Sequence, residues 1–190
     1  MRSFIAINLE DSLRNEIDRA TSGLRSGNWD VKWVSPANLH ITLKFLGEIP
    51  EDTITELKET LLSVASHHES FALKLKGVGI FPDKRRPRVI WIDLLESDRL
   101  IKLQEQVDNN LLTVGFKRED RPFSAHLTIG RIRSSGGKES LLEAVETLKD
   151  KDFGNIEVNK VSLMKSDLKP GGAQYSTMAE FHLKRRINDQ

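Results

Sequence analysis

Histidine and threonine two residues apart occur twice in the chain, as HITL at residues 40–43 and as HLTI at residues 126–129. In an extended segment alternate side chains share a face, so His40 stands beside Thr42 and His126 beside Thr128. Ile41, Leu43 and Phe45 are then expected on the opposite, apolar side of the first segment, and Leu127 and Ile129 on that of the second. One such triplet arises by chance in roughly one chain in four of this composition, two matched ones in about one in a thousand. A neutral imidazole takes a proton from water near neutral pH, and an imidazolium gives one to a departing alkoxide, so the pair can act as an acid–base couple. Threonine hydroxyls on the same face can donate to the nonbridging oxygens of a phosphate.

Other chemistries lack their parts. The chain has no cysteine, and without a GxSxG elbow it holds no activated nucleophile for amide hydrolysis. Neither a GxxxxGK[ST] phosphate loop nor a GxGxxG turn is present. Two histidines are a start on a zinc site, but no third ligand is evident, so neither metal nor cofactor is expected. His67 and His68 are adjacent at a helix end, where side chains diverge by about 100°, and His182 has no threonine two residues on.

Basic and acidic residues number 29 and 28, a formal charge of +1, so any affinity for phosphate must be local rather than global. Lys84, Arg85, Arg86 and Arg88 crowd the stretch DKRRPR, which reads as a solvated loop, as does LKRRIND near the C-terminus. Hydrophobic residues make up 38% of the 190, enough for an ordinary core. The N-terminal apolar run ends at once in Glu10 and Asp11, so neither a signal peptide nor a membrane span is expected, and the cytoplasm is the natural setting.

The elements that position the two motifs follow from periodicity. SFIAINL, VKWV, LHITLKFLG, FALKLKGVGIF and RVIWIDL read as strands, with Gly77 breaking the fourth. Leu13, Ile17, Ala20 and Leu24 recur at helical spacing after a cap at Asp11 or Ser12; so do Ile54, Leu57, Leu61 and Val64, and Leu100, Leu103, Val107 and Leu111 behind a cap at Ser97. KESLLEAVETLKD reads as a further helix, and IEVNKVSLMKSDL and YSTMAEFHLKR as two closing strands joined by the turn KPGG. Strands that follow one another through short turns favour an antiparallel α+β arrangement over a doubly wound parallel sheet. The histidines are 86 residues apart, and at the same offset Pro36 matches Pro122, which suggests a pseudo-symmetric duplication.

With HITL and HLTI, the stretches MRSFIAINL, PRVIWIDL after GIFPDKRR, the GR after the second motif and VSLMKSDLKPGGAQYSTMAEFHL, the chain resembles the two-histidine (2H) phosphoesterases. Within them it is similar to the RNA 2′,3′-cyclic phosphodiesterases, also called 2′-5′ RNA ligases. The resemblance covers essentially all of residues 1–190 and implies a single domain of two interleaved lobes. It implies a bilobal fold with antiparallel sheets facing across a central cleft and helices outside. It further implies metal-independent opening of an RNA 2′,3′-cyclic phosphate to a 2′-phosphomonoester, with His40 as proton donor, His126 as proton acceptor, and Thr42 and Thr128 on the phosphate. Joining of tRNA halves through a 2′-5′ bond without ATP is the implied reverse reaction. RNA is the implied partner, with no membrane, and the chain is expected to be a monomer.

Arg131 belongs to the GR of this pattern and is a candidate phosphate ligand. Strict alternation places it opposite His126 and Thr128, and only a bulge or bend at Gly130 brings it round. Phe4, Trp33 and Tyr175 are candidates for stacking on a base, although aromatics more often fill a core. Two other readings stand beside this one: a 2H enzyme for another cyclic phosphate or a 2′-5′ oligonucleotide, and an RNA-end binding protein without turnover. Retention of both histidines speaks against the second, since binding alone requires no acid–base pair.

Overall fold

The structure, a computed structural model describing residues 1–187, consists of two antiparallel sheets with helices packed outside them. The strands are β1 (Arg2–Asn8), β2 (Val31–Trp33), β3 (His40–Glu48), β4 (Phe71–Phe81), β5 (Val89–Leu95), β6 (His126–Ile132), β7 (Asp152–Val158), β8 (Lys160–Lys169) and β9 (Gly172–His182). The helices are α1 (Asp11–Ala20), α2 (Ser22–Arg25), α3 (Ile54–Ala65), α4 (Asp98–Asn110) and α5 (Lys138–Glu146). One sheet has the order β3-β1-β8-β9, the other β2-β6-β5-β4-β7. None of the helices is long and apolar enough to cross a membrane.

The periodicities hold where burial enforces them. Leu57, Leu61 and Val64 of α3 and Leu100, Leu103 and Val107 of α4 are buried at helical spacing, and a single apolar cluster joins them to both sheets. β1 is a central strand, covered on both faces, and its run of five buried residues reflects that.

Four expectations change. The first helix ends at Ala20 and a second begins at Ser22. Thr21 between them is fully buried, and its hydroxyl donates to the Ile17 carbonyl at 2.7 Å. Glu10 and Ser97 take the N-cap positions of α1 and α4, neither with a side-chain capping bond. Gly77 does not end β4; it sits at a bulge with φ +84°, where a Cβ would lie 2.3 Å from the Lys149 carbonyl oxygen. IEVNKVSLMKSDL is two strands rather than one: β7 pairs with β4, and after Asn159 the chain crosses to the other sheet, where β8 pairs with β1 and β9. In LKRRIND, Leu183 is buried while Lys184 and Arg185 are exposed, and the last two residues lie outside the described residues.

Candidate active site

The duplication is visible in the pairing. β3 lies against β1 as β6 lies against β5, and the two pairings match, the motif strands offset by 86 residues and their partners by 85. Thr42 faces Ala6 and Lys44 faces Ile5, leaving Leu43 as an extra residue; Thr128 faces Trp91 and Gly130 faces Ile90, leaving Ile129 as its counterpart. Each motif strand therefore carries a bulge immediately after its threonine. A bulge adds one residue and so inverts the alternation beyond it. Arg131 is thereby returned to the face of His126 and Thr128, and all three line one cleft.

The same inversion corrects the first motif. Phe45 was expected among the buried residues with Ile41 and Leu43; it instead enters the cleft and is 62% exposed. The signal was present in the sequence, because Phe45 and Arg131 occupy equivalent positions at the motif offset. Lys44, the residue before it, is turned inward. Only 3% exposed, its ammonium pairs with Asp108 of α4 and donates to the Lys117 carbonyl at 2.8 Å.

His40 and Thr42 from one sheet and His126 and Thr128 from the other line a single cavity of about 400 Å³. The imidazoles are held by the same device. His40 Nδ1 lies 2.7 Å from the Asn38 carbonyl oxygen, and His126 Nδ1 lies 2.7 Å from that of Ser124. A carbonyl only accepts, so Nδ1 carries the proton and donates it, which leaves the Nε2 of each ring free toward the cleft as the acceptor or donor. Asn38 is itself tied down, its Nδ2 donating to the Ala173 carbonyl at 2.9 Å.

The surroundings of the rings differ. His40 lies 4.8 Å from the Phe4 ring and meets Tyr175 edge-on at 5.3 Å, whereas His126 meets Phe81 at 5.6 Å. Burial pushes the His40 imidazole below the usual histidine range; the bond to the Asn38 carbonyl opposes this, and the guanidinium groups of Arg14 and Arg131 add to it. Arg2 and Arg131 also line the cleft, and among the described residues no carboxylate does. In a chain of +1 formal charge, that local excess suits an anion.

The three aromatic candidates separate. Tyr175 lines the cleft. Phe4 reaches it but is only 3% exposed, with His40, Phe45 and Tyr175 packed around its ring, so it supports His40 and presents no face for stacking on a base. Trp33 lies outside the cleft: its ring covers Gly130, where a Cβ would approach to 2.9 Å, and the Arg25 guanidinium stacks 5.5 Å from its centre. His67, His68 and His182 are likewise remote from the cleft, and among the described residues no three histidine, aspartate or glutamate side chains converge as a metal site.

Comparison with known proteins agrees with this architecture. A model of the LigT-like phosphoesterases matches the chain twice in tandem, over residues 7–91 and 92–175. An RNA 2′,3′-cyclic phosphodiesterase of Archaeoglobus fulgidus is 37% identical over 181 residues, 95% of this chain and 99% of that one. Its counterpart from Methanothermobacter thermautotrophicus is 33% identical over 183 residues, 96% of this chain and 99% of the relative. Among solved structures, a Thermus thermophilus protein superposes with a TM-score of 0.80 at 27% identity, covering 98% of this chain and all of that one. Escherichia coli LigT complexed with 3′-AMP superposes with a TM-score of 0.79 at 26% identity, covering 96% and 97%.

Proposed function

The chain belongs to the LigT-like phosphoesterase family, and on that premise we propose that it opens 2′,3′-cyclic phosphates at RNA ends to 2′-phosphomonoesters. The observation that carries this reading is the pair of imidazoles, each with Nδ1 tied to a backbone carbonyl, on two sheets across a cleft without carboxylates. The names of the relatives, RNA 2′,3′-cyclic phosphodiesterases, support the substrate class.

In this reading the cyclic phosphate sits between the two Nε2 atoms, its nonbridging oxygens accepting from Thr42 and Thr128 with Arg131 beside them. His126 takes a proton from water as the oxygen attacks phosphorus, and His40 delivers one to the departing 3′ oxygen. The phosphate remains on the 2′ oxygen, and the histidines end with their protonation states exchanged. With a 5′-hydroxyl in place of the attacking water, and the 3′ oxygen again leaving, the same site joins two RNA ends, tRNA halves among them, through a 2′-5′ bond without ATP. Imidazoles carry the protons, and hydroxyls and a guanidinium carry the charge, so the mechanism calls for no cation.

The test is incubation of the purified protein with an oligoribonucleotide ending in a 2′,3′-cyclic phosphate, in excess EDTA, followed by identification of the monoester isomer. A 2′-phosphate is expected. A 3′-phosphate would reverse the substrate's orientation between the histidines, and turnover lost in EDTA and restored by zinc would reassign both to a metal. Binding without turnover would make the protein an RNA-end binder.

A further inference from the structure

Two cations at the rim of the cleft stand closer together than the stability of the fold explains. β2 runs antiparallel to β6 with Lys32 directly opposite Arg131, so both side chains leave the same face. Like charges at directly opposed positions destabilise a sheet. Both residues are exposed, and among the described residues neither enters an ion pair. They line a groove of about 260 Å³ with Ser35, Asn38, Gly172 and Tyr175; it opens beside the cleft, shares Arg131 and Tyr175 with it, and is also free of carboxylates. A like-charge pair with no carboxylate lining its groove among the described residues is satisfied by an anion placed between its members.

The strand sets how far that anion lies from the reacting phosphate. From Thr128 to Arg131 is three residues, the first of them the bulge residue Ile129, or about 7–10 Å along β6 at roughly 3.3 Å per residue. That is the scale of one nucleotide step. We propose that Lys32 holds the phosphodiester one nucleotide upstream of the cyclic phosphate, with the Arg131 guanidinium standing between the two phosphates, so that the protein selects polynucleotide ends over free cyclic mononucleotides. This rests on the activity proposed above. The other basic surface, where Arg85, Arg86, Arg88, Arg133 and Lys138 surround a second groove, shares no lining residue with the cleft.

Steady-state kcat/KM on uridine 2′,3′-cyclic monophosphate and on a hexaribonucleotide ending in a cyclic phosphate tests the assignment. Lys32→Ala is expected to lower the hexamer value about five- to tenfold and the slope of log kcat/KM against log salt by about one, with the mononucleotide value within about twofold of wild type. Lys32→Arg should restore most of the hexamer value, and Arg86→Ala should leave the ratio between the two substrates unchanged. Equal losses on both substrates, no loss on the hexamer, or a ratio that responds to Arg86→Ala and not to Lys32→Ala would overturn the proposal. Fluorescence anisotropy of the labelled hexamer separates this from the activity itself. If the wild type turns over neither substrate, weaker binding by Lys32→Ala keeps the subsite while the hydrolytic reading fails, and unchanged binding removes the subsite.

Discussion

The two motif strands are built on one plan and finished differently. Both place a histidine two residues before a threonine, both tie the imidazole Nδ1 to the carbonyl two residues upstream at 2.7 Å, and both bulge directly after the threonine. At the first position beyond the bulge residue, β3 has Lys44 paired to Asp108, whereas β6 has Gly130 beneath the Trp33 ring. At the next, β3 sends Phe45 into the cleft and β6 sends Arg131. The repeated parts are those that aim the histidines and threonines. The parts that differ give one wall an aromatic ring and the other a guanidinium, as two ends of one asymmetric substrate would require.

The hardest test of that division is removal of the shared parts. His40→Ala and His126→Ala should each lower kcat by about 10²- to 10⁴-fold, because in the proposed reaction each imidazole moves one proton. Near-normal turnover by either variant, with its circular dichroism unchanged, would break the symmetry of roles.

A large effect on stability is expected only in the first strand. Lys44→Met leaves Asp108 buried without its charge partner and should cost about 3–5 kcal/mol in denaturant unfolding, much of it recovered in the Lys44→Met, Asp108→Leu double variant. Gly130→Ala, the equivalent position, drives a Cβ to 2.9 Å from Trp33 and Val31 atoms and should cost about 1–3 kcal/mol through overpacking.

In the proposed complex Thr42→Ala and Thr128→Ala each remove one hydrogen bond to a charged oxygen, worth about 1.5–3 kcal/mol, so kcat/KM should fall roughly 10- to 100-fold. Each loss should be smaller than that of its histidine, and a threonine variant more damaged than its partner would interchange their importance.

The smallest effect expected is in pH dependence. Because burial lowers the pKa of His40, its imidazolium in the free protein is lost at lower pH than an ordinary histidine's, so kcat/KM should fall on the basic side earlier than that ordinary value would give. A phosphate anion in the cleft favours the charged ring and should raise that pKa, moving the basic limb of kcat to higher pH. Titrating the His40 ring by NMR with and without inorganic phosphate measures this directly; no upward displacement would remove His40 from the anion's neighbourhood. The same lowering makes the fold less stable as the solution is acidified, since below about 6.5 the unfolded chain binds a proton that the folded one resists.

Much of this was legible in the sequence because it is local. The shared face of His40 and Thr42, and that of His126 and Thr128, follows from period-two alternation; α3 and α4 follow from apolar spacing; the tandem organisation follows from the 86-residue offset. The bulge expected at Gly130 lies one residue earlier, at Ile129, and its counterpart at Leu43 is followed by Lys44 rather than a glycine. What the sequence did not determine depends on partner strands. The bulges at Leu43 and Ile129 are defined by the registers of β1 and β5, and with them the entry of Phe45 and Arg131 into the cleft. The crossing at Asn159 places β7 and β8 in different sheets through pairings with strands some 80 and 160 residues away, on the order set by chain topology rather than local propensity. Lys44 gains its charge partner only when α4 brings Asp108 to it, and Lys32 becomes a neighbour of Arg131 only when β2 adds to the edge of the second sheet. Alternation and helical spacing are properties of one segment; register, and therefore which side chains share a site, is a property of two.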